Sequence, residues 1–540
     1  MIHAKNPNQR DIFDPWYFLT PKRRQMLEAG WPGLFRQHIL PSLPVDKVAQ
    51  YFTADFGRPT KELYSVLGAL VLQQAFDLTD EQTVDQFAFN IQWHYGLNIT
   101  EESDATKYIS PKTLWNSRNI VASNNLEETI FKAGTDRLQQ VFNVDVDKQR
   151  IDSVHIKSNM RRLSRIGIFS ESIHKFLVNL KRHHGALIDT VEPAVVERYL
   201  SKKALGCFAQ VKPSESKKTL GQVSKDLFDL VEQFKAVENV ADMYSFKLLQ
   251  RVLAEHCNLT ADPDKPVELK NPAEIASDSL QNPSDPDASY SGHKGQGYTV
   301  QVMETFCTQR SESSEKKQKS LNLITHVDVK PAHHHDAHAL MPAIEDTEQR
   351  DIKPKEVVAD ALYGSDDNCR KAQNHGVELT APALGKSQQE RISLSDFEIS
   401  EKAQIIACPQ GHAPAKVRQK KRQSIGFAIE HCERCPLLAD CPVKKGKKFY
   451  YLRFKDKELR IAARRVAENC EEFKDRYRWR AGAEATMSEY DRRTGVKHLR
   501  VRGHKAVRFC ATIKALAVNI FRAAAVQAAQ MMPEPAFAEA

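Results

Sequence analysis

The stretch EVVADALYGSDDN, residues 356–368, constrains the fold of this 540-residue chain more than any other stretch. It begins with a short apolar run, a pattern that favours a buried strand. Asp360 ends the run, and Asp366 and Asp367 follow at positions that suit the start of a helix. We therefore predict a strand that ends in an acid and turns into a helix, which is a unit of an α/β fold.

Other segments extend this prediction to a sheet. Apolar and polar residues alternate loosely in QRIDSVHIKS, residues 149–158, which places Asp152 on a strand. Residues 298–303 and 321–329 are rich in β-formers, and a helix is expected over about residues 338–346. Strands and helices in this order predict an α/β domain.

A long insertion separates the first of these strands from the second. Residues 160–270 carry apolar side chains at helical spacing, as in Leu227, Leu230, Val231 and Phe234, so an all-helical insertion is predicted. Residues 262–288 are rich in Pro, Asp, Ser and Asn, which predicts a linker.

The first 145 residues are predicted to be helical. One amphipathic helix follows from the spacing of Leu63, Val66, Leu67, Leu70 and Val71. A second begins at Ser110 and Pro111, because serine can cap a helix and proline suits its first position. Short helices of this kind fit a helix-turn-helix DNA-binding domain and equally a helical interaction domain.

Helices are predicted again near the end of the chain, over residues 455–530, with breaks at Gly495 and Gly503. The last ten residues are rich in Pro and Ala and are predicted to be disordered. The expected regions are helices over 1–145, a core over 146–400 that contains the insertion, a cysteine-bearing insertion over 401–450, a C-terminal part of the core over 451–530, and a tail over 531–540.

Basic residues are concentrated late in the chain. The net charge is +9, and basic clusters occupy residues 416–422, 444–448 and 492–508. Such clusters neutralise phosphate in nucleic-acid complexes, although each alone also fits a solvated surface. A DNA partner is the interpretation that we prefer.

Nothing in the sequence indicates a membrane protein. We find no apolar run of about 20 residues, and the longest apolar helical segment is expected at residues 63–76. The N-terminus lacks a signal-peptide apolar region. A cytoplasmic location without a membrane partner is therefore expected.

Four of the ten cysteines are close together in the sequence: Cys408, Cys432, Cys435 and Cys441. A C-x2-C pair supplies two zinc ligands from one turn, and four thiolates complete a tetrahedron, so structural zinc is predicted. His412 is an alternative ligand, and four reduced structural cysteines are the other interpretation. The remaining six are expected to be packing residues: Cys207, Cys257, Cys307, Cys369, Cys470 and Cys510.

An aspartate on one strand, an aspartate that ends another and a glutamate on a later helix can meet at one end of a sheet. Carboxylates are the ligands that magnesium prefers, and two such ions can clamp the attacking and leaving oxygens of a phosphoryl transfer. With 69 acidic residues in the chain, this chemistry alone selects no particular trio.

Motifs over residues 10–525 resemble those of bacterial insertion-sequence transposases of the DDE type, in the branch with an N-terminal helical domain and a cysteine cluster before the catalytic Glu. The resemblance rests on residues 57–87, on DPDASYSGHKGQGYTVQVMET, and on three motifs around acids. RIDSVHIKSN, VVADALYGSDDN and RWRAGAEATMSEYDRRTG resemble the family's acidic motifs. They imply a ribonuclease H-like core with Asp152, Asp360 and Glu484 as catalytic ligands of two magnesium ions.

The motif around Glu484 resembles the family pattern closely, with Tyr477 and Arg480 in their expected positions. The family's lysine position is held by Asp491, and Arg492 follows it. Arg480 and Glu484, four residues apart, are expected to share a helix face. The DNA-binding residues implied by the motif and its basic flank are Tyr477, Arg480, Arg492, Lys497, Arg500 and Arg502. The alternative for Arg480 is a simple ion pair with a nearby acid.

The cluster His333, His334, His335, Asp336 and His338 fits no standard zinc spacing. The resemblance implies a turn before a helix here, with Asp336 as the helix cap.

The resemblance implies a transposase that cleaves transposon ends and joins them to target DNA. Its expected partners are double-stranded DNA, namely the terminal inverted repeats and the target, and a second copy of the chain in a homodimer. The expected location is the bacterial cytoplasm, in association with the nucleoid. The alternatives are a catalytically inactive DNA-binding repressor or domesticated descendant, and a metal-dependent nuclease that cuts but does not join.

Overall fold

The computed structural model describes residues 1–7, 14–53, 57, 59–201, 208, 211–263, 265–308, 320–385, 391–400, 404–418 and 422–531. The expected disordered tail after Met531, Cys207 and part of the first basic cluster lie outside these residues.

A mixed sheet forms the centre of the molecule. The strands up to residue 380 are β1 Lys148–Lys157, β2 Cys257–Leu259, β3 Val267–Leu269, β4 Ser289–Ser291, β5 Gly295–Thr305, β6 Ile324–Pro331, β7 Glu356–Val358 and β8 Glu378–Thr380. The order across the central sheet is β6-β5-β1-β7-β8, and β4 also pairs with β5. Strands β1, β7 and β8 are parallel, whereas β5 is antiparallel to β1 and β6. The expected α/β class is confirmed.

The N-terminal region is helical, as predicted. Its helices are α1 Pro21–Ala29, α2 Trp31–Leu34, α3 Val45–Ala49, α4 Leu63–Ala75, α5 Asp80–Phe89, α6 Ile91–Gly96, α7 Asp104–Lys107, α8 Pro111–Ser123 and α9 Leu126–Phe142, with a π-helix at Phe35–Ile39. Ser110 caps α8 by accepting a hydrogen bond from the Thr113 amide. Every residue of α4 except Tyr64 is buried, so the predicted amphipathic helix is in fact a core helix, enclosed by its neighbours.

The predicted insertion is mainly helical and has its own apolar core, but it is not all-helical, because β2 pairs with β3 near its end. Its helices are α10 Arg165–His183, α11 Gly185–Ile188, α12 Pro193–Leu200, α13 Ser216–Phe234, α14 Glu238–Ala241 and α15 Tyr244–His256. The prediction of a linker over residues 262–288 is wrong in part. This stretch contains β3 and a 3-10 turn at Pro272–Glu274, and Asp285 near its end is fully buried.

A helix, α16 Leu340–Gln349, lies between β6 and β7, and α17 Asp366–Asn374 follows β7. A small β unit then forms around an apolar core that includes Phe397, Phe427 and Phe454. Its elements are β9 Glu398–Ile399, β10 Ile405–Ala407, β11 Lys416–Arg418, β12 Gln423–Ala428, α18 Ile429–Glu433, β13 Lys444–Lys445 and β14 Phe449–Phe454.

The C-terminal region is helical, with breaks at both predicted glycines. The helices are α19 Asp456–Ala467, α20 Glu471–Tyr477, α21 Ala481–Thr494 and α22 His504–Met531. Gly495 and Gly503 have φ angles of 66° and 79°, a conformation that glycine adopts readily. Gly495 ends α21, and Gly503 directly precedes α22.

The longest apolar helix is α22 and not the expected segment at residues 63–76. Among the described residues it is the one helix that is long and apolar enough to cross a membrane, but 83% of its apolar window is buried inside the protein. It packs against α4, α9 and β6, so its composition is explained by its central position.

Candidate active site

Asp152 lies on β1, at the centre of the sheet, and its side chain is 15% exposed. One carboxylate oxygen lies 3.2 Å from Nη2 of Arg480. Arg480 belongs to the 3-10 turn Arg478–Arg480, which leads directly into α21. The ion pair therefore connects the strand of the first predicted acid with the helix that carries Glu484.

The parallel register of β1 and β7 brings Asp360 to the same level as Asp152. Arg150 pairs with Val358, and the two aspartates each follow two residues later. One oxygen of Asp360 accepts a hydrogen bond from the amide of Leu362 at 2.8 Å, which holds the turn after β7.

Glu484 lies in the first turn of α21, and its side chain is 72% exposed. Its Oε1 lies 3.2 Å from Nη1 of Arg480, four residues earlier. The prediction that Arg480 and Glu484 share a face is confirmed. A single guanidinium thus contacts two of the three predicted acids, while its Nε has no hydrogen-bond acceptor among the described residues.

The electrostatics agree with this convergence. Burial raises the pKa of Asp152, and the nearby Asp360 and Asp336 raise it further, whereas Arg480 lowers it. Burial opposes the charge on Arg480, but Asp152, Tyr477, Asp360 and Glu484 together raise the pKa of its guanidinium. The site is therefore a negatively charged cluster that one arginine partly neutralises.

Asp336 was missed as an acid whose charge acts on Asp152, and its predicted role as a helix cap is wrong. His335 caps the 3-10 turn Asp336–His338, because its ring accepts from the Ala337 amide. The Asp336 carboxylate accepts hydrogen bonds from Ser153 Oγ at 2.9 Å and Gln301 Nε2 at 2.7 Å. These partners lie on two other strands, so no local pattern could have identified them.

The base of α21 is attached to the sheet by a buried ionic network. Arg150 contacts Glu304 at 2.7 Å, and Arg522 of α22 contacts the same carboxylate at 3.0 Å. Thr486 of α21 donates to Glu304 Oε2 at 2.7 Å. Arg150 also donates to the carbonyl oxygen of Trp479 at 3.0 Å. Strands β1 and β5 therefore hold both ends of the segment that places Arg480 and Glu484.

The donor set suits magnesium, because Asp152, Asp360 and Glu484 all offer carboxylate oxygens. Among the described residues, however, no three His, Cys, Asp or Glu side chains are grouped closely enough to hold a metal ion. At the acidic site, the positively charged guanidinium of Arg480 lies between Asp152 and Glu484. The histidines at 333–335 and 338 likewise form no metal group.

The predicted DNA-binding residues differ in their availability. Arg492 and Arg502 are exposed and have no ion-pair partner among the described residues. Arg500 contacts Asp77 at 2.8 Å, and Lys497 lies 3.8 Å from Asp491. Tyr477 stacks on Phe473 near the site.

The two acids of the DPD motif, Asp285 and Asp287, have a structural role. Asp285 accepts hydrogen bonds from Ser158, Tyr298 and the amide of Gly503, and Asp287 accepts one from the amide of His504. These contacts satisfy amides at the start of α22. Neither acid is available to the acidic site.

Four cysteines line one cavity of about 30 Å³ in the small β unit: Cys408, Cys432, Cys435 and Cys441. All four are free thiols, and His412 lines the same cavity. Burial and the other three cysteines raise the pKa of Cys432 to about 11. The chemistry suits zinc, but the cysteines, like the carboxylates, form no metal group close enough to ligate an ion. Cys470, expected to be a packing residue, is exposed and caps α20.

The molecule is thus a mixed α/β protein with a helical N-terminal region and an acidic cluster at the level of Asp152 and Asp360. Two family models match it: a transposase DDE domain over residues 407–524, and a transposase domain (DUF772) over residues 34–119. These matches support its assignment to the insertion-sequence transposases of the DDE type. No curated protein matches the chain.

The matched DDE domain includes Glu484 and the four clustered cysteines, whereas Asp152 and Asp360 lie before it. Such a domain implies a ribonuclease H-like core. The strand order described above, three parallel strands flanked by an antiparallel pair, agrees with that implication.

Proposed function

We propose that this protein cleaves DNA at the ends of a transposable element and joins those ends to target DNA, with Asp152, Asp360 and Glu484 as its catalytic acids. The observation that carries the proposal is the position of Arg480, which contacts two of these acids, Asp152 and Glu484, at 3.2 Å each although they are far apart in the sequence. Asp360 follows the neighbouring strand at the level of Asp152. Asp360 and Asp336 both raise the pKa of Asp152, which supports the same grouping.

Asp152, Asp360 and Glu484 would hold two magnesium ions. When bound, these ions would supply a water of lowered pKa and neutralise charge on the reacting phosphate. Asp360 keeps one oxygen on the Leu362 amide, which fixes its orientation in the turn after β7. Glu484 is the most exposed of these three acids, so it would face the DNA on the solvent side of the site.

Arg480 binds and orients the DNA backbone in this proposal. Its two terminal nitrogens, which contact Asp152 and Glu484, form the planar fork that binds phosphate oxygens in two places. A phosphate that binds Arg480 would leave Asp152 and Glu484 without their cation, and their carboxylate oxygens would then be free to hold magnesium. Water and then the freed 3′-hydroxyl of the DNA are the two nucleophiles, and no covalent intermediate with the protein is required.

The DNA partners are the terminal inverted repeats and the target duplex. Arg492 and Arg502 are proposed to contact phosphate, together with Tyr477 and Lys497, and the helical domain over residues 1–145 to contact the inverted repeat. Two ends must be brought together, so a homodimer is proposed, acting on DNA in the bacterial cytoplasm. The four clustered cysteines are proposed to bind one structural zinc ion, which would make residues 401–450 a zinc-stabilised insertion.

The test is a strand-cleavage and strand-transfer assay on DNA that carries the terminal inverted repeats, with magnesium present. Asp152→Asn, Asp360→Asn and Glu484→Gln are each expected to abolish cleavage and to retain end binding in a mobility-shift assay. Asp367→Asn is the matched control, because Asp367 is an exposed acid whose one ion-pair partner in the described part of the chain is Lys371 on its own helix.

Normal cleavage by any of the three site variants would remove that residue from the site. Binding by the native chain without cleavage would favour the DNA-binding repressor. Cleavage without strand transfer would favour a nuclease.

A further inference from the structure

Asp336 lies just after β6, where the chain enters the 3-10 turn before α16, and its side chain is only 11% exposed. Both of its carboxylate oxygens are engaged. Oδ1 accepts from Gln301 Nε2 at 2.7 Å, and Oδ2 accepts from Ser153 Oγ at 2.9 Å. Lys294 Nζ lies 3.3 Å from Oδ2 and also donates to Ser153 Oγ at 2.9 Å.

One arm of this network reaches the turn that carries Asp360. Gln301 on β5 accepts a hydrogen bond from the hydroxyl of Tyr363 at 2.5 Å. Tyr363 is fully buried, and its amide donates to the carbonyl oxygen of Asp360 at 3.2 Å. The position of Tyr363 therefore decides where the turn, and with it the Asp360 carboxylate, can lie.

The other arm reaches the strand that carries Asp152. Ser153 is the next residue on β1, and it lies directly opposite Gln301 in the antiparallel register. Its hydroxyl points at Asp336, on the face opposite to that of Asp152. Asp336 thus joins β1, β5 and the turn after β7 at the level of the two catalytic aspartates.

We infer that Asp336 is a positioning residue, which fixes the Asp360 turn against the Asp152 strand through Gln301, Tyr363 and Ser153. The inference rests on the proposed function, since the two aspartates matter only if they act together. Because Asp336 is saturated by donors, it acts through its neighbours and does not itself contact DNA.

The chemistry of the network explains why an aspartate is needed. Gln301 must present its carbonyl to the tyrosine hydroxyl, so its amide nitrogen faces Asp336 and requires an acceptor. Ser153 and Lys294 also donate towards residue 336. An asparagine would place its own NH₂ group against one of these donors, and one buried donor would lose its partner.

The test uses the direction of the hydrogen bond between Gln301 and Asp336. Asp336→Asn is expected to lower kcat for end cleavage roughly 100-fold, the effect of moving a reacting group by about 1 Å, with little change in KM for the DNA. The double variant Asp336→Asn with Gln301→Glu reverses the donor and acceptor across the same contact. The introduced glutamate side chain would accept from both Tyr363 and the new asparagine amide, so we expect most of the rate to return.

Hydrogen–deuterium exchange provides a readout that needs no catalysis. Amides in residues 360–365 are expected to exchange about tenfold faster in Asp336→Asn, the size expected from losing one buried hydrogen bond, and to recover in the double variant. Asp367→Asn should change neither the rate nor the exchange.

The possible outcomes distinguish a positioning role of Asp336 from a direct role in the reaction and from failure of the proposed function. If the double variant stays as slow as Asp336→Asn while the turn recovers its protection, the carboxylate itself acts in the reaction and positioning is refuted. If Asp336→Asn changes neither rate nor exchange, the inference is also refuted. If the native chain does not cleave DNA but the exchange pattern follows the expectation, the proposed function fails and the network stands as a structural one.

Discussion

Nη1 of Arg150 donates to the carbonyl oxygen of Trp479 at 3.0 Å, so the strand that carries Asp152 also holds the turn that leads to Glu484. The two residues are 329 positions apart in the sequence. Arg150 is itself fixed by Glu304 at 2.7 Å. The spacing between two of the proposed catalytic acids therefore depends on a buried ionic network outside the site.

Replacing Glu304 with Gln tests this dependence. Glu304 is 2% exposed and serves both Arg150 and Arg522, so its loss leaves two largely buried guanidinium groups without their shared partner. Breaking a buried pair costs about 3–5 kcal/mol, which we expect to see as a reduced free energy of unfolding in denaturant titrations. Cleavage should fall as well, even in protein that is still folded at low temperature. Unchanged stability would show that the network contributes nothing.

Gly482→Ala is expected to displace Arg150. A Cβ at Gly482 would lie 1.9 Å from Nη1 of Arg150, and the guanidinium would have to leave the Trp479 carbonyl. We expect cleavage to drop while the fold persists. The control is Gly221→Ala in α13, where an added Cβ meets nothing within 4 Å. That control should be stabilised by about 0.4–1 kcal/mol and remain active. Equal activity of the two variants would contradict the crowding argument.

Arg480→Lys is expected to fail as a replacement. An ammonium group can pair with carboxylates, but it has no planar fork, so it cannot hold a phosphate through two parallel hydrogen bonds as the guanidinium can. We expect Arg480→Lys and Arg480→Ala to lose most cleavage activity. Arg478→Ala, which removes an exposed arginine paired with Asp475, should have little effect. Full activity of the lysine variant would show that only a positive charge is needed.

Arg500 and Arg502 are predicted to differ in DNA binding, although the sequence alone treats them alike. Arg500 is engaged with Asp77, whereas Arg502 is exposed without an ion-pair partner among the described residues. Arg502→Ala should therefore reduce the slope of log binding constant against log salt by about 0.9, the loss of one phosphate contact. Arg500→Ala should change the slope less. The reverse ranking would mean that Arg500 releases Asp77 when DNA binds.

Local signals in the sequence predicted local structure well. The cap at Ser110, the left-handed glycines at 495 and 503, and the shared face of Arg480 and Glu484 all depend on residues within one or two turns. The roles of Asp336 and Arg150 could not be predicted in this way. Their partners lie on other strands, and only the register of β1 with β5 and β7 brings them together.

The sequence patterns also did not predict which helices are buried. Apolar spacing predicted that residues 63–71 are helical, but it did not show that α4 is enclosed on nearly every side. For the same reason α22 was not recognised as the longest apolar helix, because Lys514 and Asn519 interrupt it. Both polar side chains are buried and paired, Lys514 with Asp77 and Asn519 with main-chain groups of Ile324. Position in the fold, rather than composition, explains these residues.

Metal analysis of the purified native chain tests the cysteine cluster. Four thiols around one small cavity suit a tetrahedral zinc site, so we expect about one zinc ion per chain. Cys432→Ser and Cys435→Ser should each lower the zinc content and make the small β unit more sensitive to protease, because metal binding and folding are coupled in such units. Cys470→Ser, an exposed cysteine outside the cluster, is the control and should retain the zinc. Native protein without zinc, or serine variants that keep it, would leave the cluster as four reduced thiols packed against the apolar core of the unit.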